Sequence, residues 1–263
     1  MSGFWSTSAG LHTRDKPIEL VGTSFSSVTN NLVIRNSADG GIGIADDGAQ
    51  NPGAPLGVAG LSRRATNDLV SGNAIIDNTR GCGVVIAAYN AFEGVNNVVV
   101  RNNLIVGQAP GTPITSTSGP FIGQIVVATD APLTSISNVR VAHNVLRGSY
   151  LPGIVLHANV FGDIIKNTNI VGNVLTHNGY YPGPPNATSN TPGVLQGTTG
   201  ISLVAENPQT PNPPAVISNT NVNSNLVLGD LNGVWLCYTS GTSIHNVLGN
   251  PTNKVATCAG GGS

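Results

Sequence analysis

Carboxylates recur at one phase of this 263-residue sequence. Counting six residues on from the small or polar residue that opens each of six short apolar triplets gives Asp47, Tyr89, Asp130, Asn159, Glu206 and Thr239. Asp46 and His157 stand beside this column. Two carboxylates held at a fixed separation can divide acid and base work at a glycosidic bond, and about 6.5–9.5 Å leaves room for a water between them. Asp47 and Asp130 are two repeats apart, which stacked strands convert to roughly 9.6 Å. They form the candidate catalytic pair, with Asp46 and His157 assisting; imidazole titrates near neutrality and suits a general base. The same carboxylates are of a kind that holds Ca²⁺, a hard cation that takes oxygen ligands. No other cofactor is evident. A structural reading competes with each of these roles, because Asp and Asn also bond nearby backbone amides where a strand ends.

The elements that must position this column are repeats. An Asn recurs with an aliphatic residue three before it and another two after it, at Asn31, Asn73, Asn103, Asn144, Asn173 and Asn225, with a slipped seventh copy at Asn246. Successive spacings are 42, 30, 41, 29, 52 and 21 residues, the pattern of a coil of constant core length with variable insertions. Each copy is followed by an inside-outside-inside triplet, such as Ile42-Gly43-Ile44, Val84-Val85-Ile86, Ile125-Val126-Val127 and Ile154-Val155-Leu156. Period-2 alternation of β-branched residues bounded by Gly is a strand signal. No segment carries a helical stripe. An antiparallel sandwich does not require one residue type at one phase of every repeat, whereas stacked coils do. Equivalent Asn residues then bond up the stack and satisfy polar groups inside a turn. The expectation is an all-β, right-handed, single-stranded parallel β-helix of about seven rungs with loop insertions. It spans residues 18–250, after an irregular segment over 1–17 and before a tail over 251–263.

The aliphatic-x-x-Asn-x-aliphatic copies resemble the right-handed β-helix repeats of the pectate-lyase-like superfamily over residues 20 to 250. The resemblance implies the fold and an extracellular or cell-surface location. It does not imply one activity, because lyases, hydrolases, epimerases and adhesins share the repeat. Of the pectin-hydrolase motifs only the paired Asp46-Asp47 is present, and the epimerase Asp-Pro-His-Asp is absent.

Composition narrows the partners. Charged residues make up 9%, the net charge is −1 and the basic residues are scattered, so nucleic acid is not an expected partner. No apolar run reaches about 18 residues, so no membrane span is expected. Residues 1–15 lack the basic and apolar regions of a signal peptide. Cys237 follows a strand and Cys258 lies in the Gly-rich end; a disulfide between them ties the tail to the last rung. The outward triplet positions Val85, Val126 and Val155, with Trp235, form an apolar stripe. It is either covered by an insertion or a contact face for another copy. The leading function is an extracellular structural or binding solenoid, associating with copies of itself end to end or through this face. The alternative is a polysaccharide-active enzyme using the carboxylate edge.

Overall fold

A computed structural model describes residues 16–36, 40–46, 64–78, 82–108, 123–149, 151–179, 198–205 and 213–257. All regular elements among them are β-strands, stacked in parallel into three sheets. Sheet A holds eight strands, from Ile18–Val21 to Asn253–Thr257. Sheet C holds seven, from Leu32–Ile34 to Leu248–Gly249. Sheet B holds eleven in two columns, which the long strand Val216–Asn223 joins. The chain passes A, then both columns of B, then C, and repeats. This is the expected right-handed parallel β-helix, with seven rungs and one closing A strand. The solenoid also runs past the expected boundary at residue 250, because Asn253–Thr257 pairs with Asn232–Cys237 and is sheet rather than tail.

Sequence alternation produces this stack directly. Ile42, Val84, Ile125, Ile154, Ile201 and Val234 lie in register across sheet A, and all are fully buried. Two residues on, Ile44, Ile86, Val127, Leu156, Leu203 and Leu236 make a second inward row in the same cluster. Burying each such side chain contributes about 1.5–3 kcal/mol. One apolar core therefore runs the length of the rod, from Val28 to Val247.

The turn from B to C is built from two residues. The first has left-handed backbone: Asn30, Gly72, Asn102, His143, Gly172 and Ser224 have φ between 53° and 68°. The second is the repeated Asn. Oδ1 of Asn144 accepts from the backbone N–H of Asn103 at 3.0 Å and from its Nδ2 at 2.9 Å. Nδ2 of Asn144 donates to the Val100 carbonyl at 3.1 Å and to Oδ1 of Asn173 at 3.0 Å. The same bonds link Asn31, Asn73, Asn103, Asn144, Asn173 and Asn225, always with the earlier rung donating to the later. Asn246 does not belong to this ladder. Leu226 pairs with Leu248, which sets Val247 opposite Asn225; Asn246 is exposed and bonds Asn223 instead. A valine has no acceptor, so the ladder stops one rung short of the C-terminal end.

The turn from C to A also carries a polar residue five after each ladder Asn, at Asn36, Asn78, Gln108, Ser149, Asn178 and Asp230, and two of its steps repeat the ladder bond. Asn36 N–H donates to Asn78 Oδ1 at 3.0 Å and Asn178 N–H donates to Asp230 Oδ1 at 2.6 Å.

The outward triplet positions are not available as a contact face. Val85, Val126 and Val155 are buried in a cluster with Cys82, Ala87 and Ala128, and Trp235 is buried against Val204 and Cys237. The stripe is covered within the chain, which removes it as a surface for a second copy. Cys237 is disulfide-bonded and Cys82 is a buried thiol; Cys258 lies outside the described residues. No helix of the described residues is long and apolar enough to cross a membrane.

Candidate functional site

The carboxylate column falls where sheet A turns into sheet B. In three consecutive rungs this turn has one length, Tyr89–Glu93, Asp130–Thr134 and Asn159–Asp163, between strands that end at Ala88, Thr129 and Ala158 and restart at Gly94, Ser135 and Ile164. Equal lengths keep equivalent side chains about 4.8 Å apart, as in the sheets that feed them.

Asp46 and Asp163 staple these turns. Asp46 is buried, where its carboxylate accepts from Tyr89 N–H at 2.8 Å, Asn90 N–H at 3.3 Å and Asn90 Nδ2 at 2.9 Å. Burial pushes its pKa up to about 6, against the lowering effect of those bonds. Asp163 is wholly buried and accepts from Val160 N–H at 2.9 Å and Thr134 N–H at 3.4 Å. Its pKa is raised by desolvation and, to a smaller extent, by the charge of Asp130. Both carboxylates hold backbone amides and lie out of reach of a substrate. Asp46 is therefore a turn staple rather than a catalytic assistant.

His157 is also removed from the site. It lies in register with Ala128 and Val204 on sheet A and is fully buried. Asp47 and Glu206 lie outside the described residues. Asp130 is the one member of the candidate catalytic set that the described structure exposes, and it accepts a hydrogen bond from Asn159 Nδ2 at 3.0 Å.

Beside this Asp130–Asn159 pair runs an apolar ridge that the sequence reading missed. The fourth residue of each turn has left-handed backbone, Phe92 at φ 68°, Leu133 at 60° and Gly162 at 71°. Phe92 is 70% exposed and Leu133 is 42% exposed. Leu133 lies over Gly162, where any Cβ would meet its Cδ2. Bulky residues at positive φ cost free energy that the surrounding structure must offset. Arg64 of the preceding rung holds the Phe92 turn, donating to the Phe92 carbonyl at 3.4 Å and pairing with Glu93 at 3.7 Å.

A second exposed feature was also missed, although its signal is in the sequence. Six residues before the ladder positions stand Asn67, Asn97, Asn138, Asn167 and Asn219, with the same spacings of 30, 41, 29 and 52. All five have φ near 55° and turn the first column of sheet B into the second. Their amides bond up the surface: Asn97 to Asn67 at 2.5 Å, Asn138 to Asn96 at 2.7 Å, Asn167 to Asn138 at 3.1 Å and Asn219 to Asn167 at 2.7 Å.

Among the described residues no group of three or more His, Cys, Asp or Glu side chains is placed to hold a metal ion. The raised carboxylates have a further consequence. Asp230 is buried beside Asn178 and desolvation pushes its pKa up to about 7, from an ordinary 3.8. A raised folded-state pKa means the folded chain holds the proton more tightly than the unfolded one. The resulting stability is complete below the unfolded value and is lost as pH rises through the folded one. The protein is therefore expected to melt at higher temperature at pH 5 than at pH 8, and Asp230→Asn to remove much of that difference. At pH 8 the variant gains of order 2 kcal/mol, since it keeps the acceptor for Asn178 and discards a buried charge. Thermal unfolding followed by circular dichroism checks this; a wild-type melting temperature flat across that range contradicts it.

No family model matches the sequence, and no curated protein matches it. Among solved structures, the A-module of mannuronan C-5 epimerase AlgE6 of Azotobacter vinelandii aligns with 93% of this chain at 12% identity and a TM-score of 0.46. The chain spans 53% of that structure's length. The A-module of mannuronan C-5 epimerase AlgE4 of the same organism aligns with 89% of this chain and 79% of its own, at 12% identity and a TM-score of 0.28.

Proposed function

We propose that this chain is a rigid, non-catalytic β-solenoid of the extracellular space that binds a polysaccharide along the turn from sheet A to sheet B. The observation that carries this reading is the division of labour within that edge. Its buried carboxylates, Asp46 and Asp163, are occupied by backbone amides, while the exposed Phe92, Leu133 and Asp130 and the half-buried Asn159 face outward. Sugar rings present an apolar face and a rim of hydroxyls. An aromatic ring covers the first, and a carboxylate beside an amide both accepts from and donates to the second. Three rungs repeat this turn at one length, so the exposed groups lie along a line, which suits a polymer better than a single small molecule. The disulfide at Cys237 supports an oxidising compartment.

Affinity electrophoresis through gels cast with soluble neutral and acidic polysaccharides tests the reading. At least one polymer is expected to retard the wild type. Phe92→Ala and Asp130→Ala are each expected to weaken that retardation about tenfold without changing the melting temperature. Retardation identical in wild type and both variants refutes the proposed edge. Turnover of a polysaccharide that Asp130→Ala abolishes replaces the binding function with an enzymatic one.

A further inference from the structure

Sheet B carries a charge asymmetry that the proposed edge does not use. None of its described strands contains Asp or Glu, although the chain as a whole has 12 acidic residues against 11 basic. Three of the eleven basic residues stand on this face, in consecutive rungs. Arg101 ends the strand Val99–Arg101, Arg140 begins Arg140–Ala142, and Lys166 ends Ile164–Lys166. Arg140 lies opposite Val99 and Asn169, so it is the diagonal neighbour of Arg101 across one rung. Lys166 lies opposite Ser137, three residues before Arg140 and one rung on. All three side chains are exposed. Neither ion pair among the described residues involves them; those are Lys16–Glu19 and Arg64–Glu93. Among the described residues, the positive charges are thus left unneutralised by the chain itself.

What surrounds them is polar and uncharged. The asparagine array of Asn97, Asn138 and Asn167 runs past the three cations, and Asn96, Ser137, Asn169, Ser218 and Asn221 fill neighbouring outward positions. Asn138 and Asn167 each use one N–H and one oxygen lone pair along the row, which leaves a second N–H and a second lone pair on each amide. The row is pre-ordered by its own bonds, so little side-chain freedom is lost on contact.

We infer that this face of sheet B binds an acidic polysaccharide, with Arg101, Arg140 and Lys166 on its carboxylate or sulfate groups and the asparagine row on its hydroxyls. Charge complementarity favours a polyanion, and the abundance of amides over cations favours one rich in hydroxyls rather than phosphates. Nucleic-acid surfaces rely instead on dense basic patches. This site is separate from the edge that bears Phe92 and Asp130, and stands or falls independently of it.

The test uses the intact chain with polygalacturonate, dextran sulfate, uncharged dextran and duplex DNA as probes, read by affinity electrophoresis and calorimetric titration. Polygalacturonate or dextran sulfate is expected to bind, with affinity falling as salt screens the charges. The triple variant Arg101→Gln, Arg140→Gln and Lys166→Gln is expected to lose about tenfold or more in affinity at low salt, while its melting temperature stays at the wild-type value because all three positions are solvent-facing. Lys254→Gln, at an exposed cation on sheet A, leaves this binding unchanged, which ties the binding to the sheet B face. Equal binding of polygalacturonate by wild type and triple variant overturns the inference, as does an absence of binding to both acidic polysaccharides. Duplex DNA binding as tightly as the acidic polysaccharides, and lost in the same variant, overturns it in favour of an unselective polyanion surface.

Discussion

Asn144→Ala is expected to lower the free energy of unfolding by about 4 kcal/mol, whereas Asn31→Ala, in the same ladder, costs about 1 kcal/mol. The two residues are chemically identical and differ in position. Truncating Asn144 removes the acceptor for both N–H groups of Asn103, the donor to the Val100 carbonyl and a donor to Asn173. These orphaned groups lie in the wall of the rod, where Asn103 and Asn144 are essentially inaccessible to water. Unpaired buried polar groups carry their full desolvation cost. Asn31 stands at the N-terminal end of the ladder and is only half-buried, and its backbone N–H still reaches Asn73 Oδ1 after truncation. Urea denaturation of both variants measures the contrast. Equal losses in the two would show that the ladder's worth lies elsewhere than in buried pairing.

Gly94→Ala is the second substitution with a large expected effect, about 3–5 kcal/mol, set by backbone rather than side chains. Gly94 has φ 146°, and a Cβ there would collide with the Ser135 carbonyl oxygen of the next rung. No rotamer relieves a collision with main chain, so the two rungs must part. Gly148 supplies the control. Its φ is 63° and nothing lies within 4 Å of where a methyl would stand, so Gly148→Ala costs only the left-handed backbone term of about 1–2 kcal/mol. Comparable thermal midpoints for the two variants would count against the steric account.

The fold was legible because a stacked coil repeats its constraints. The Asn31-to-Asn225 series and the triplets from Ile42 to Val234 each mark a position whose neighbours above and below are of its own kind. Asn246 misled for the same reason, since residue type alone does not report the one-residue offset that puts Val247 in register with Asn225. The functional edge was less legible. Asp46, Asp130 and His157 share a short stretch of the repeat, yet period-2 alternation and turn curvature send Asp46 under the next turn, Asp130 to solvent and His157 onto the covered outer face of sheet A. The apolar ridge escaped notice because Phe92, Leu133 and Gly162 share a backbone conformation and no residue type. Arg101, Arg140 and Lys166 looked scattered because they occupy different phases of three rungs and converge only diagonally.

The A-to-B turns of equal length make the rod's length a whole-number quantity. Joining Asn102 directly to Asn144 would delete residues 103–143 and one entire rung. Ile75 would then face Leu146 in place of Ile105, Val84 would face Ile154 in place of Ile125, and Asn73 would donate to Asn144. Every new neighbour is of the kind it replaces. Gene duplication or loss in such units changes the length of the rod while leaving the core contacts between rungs as they were, so length and surface chemistry can evolve separately.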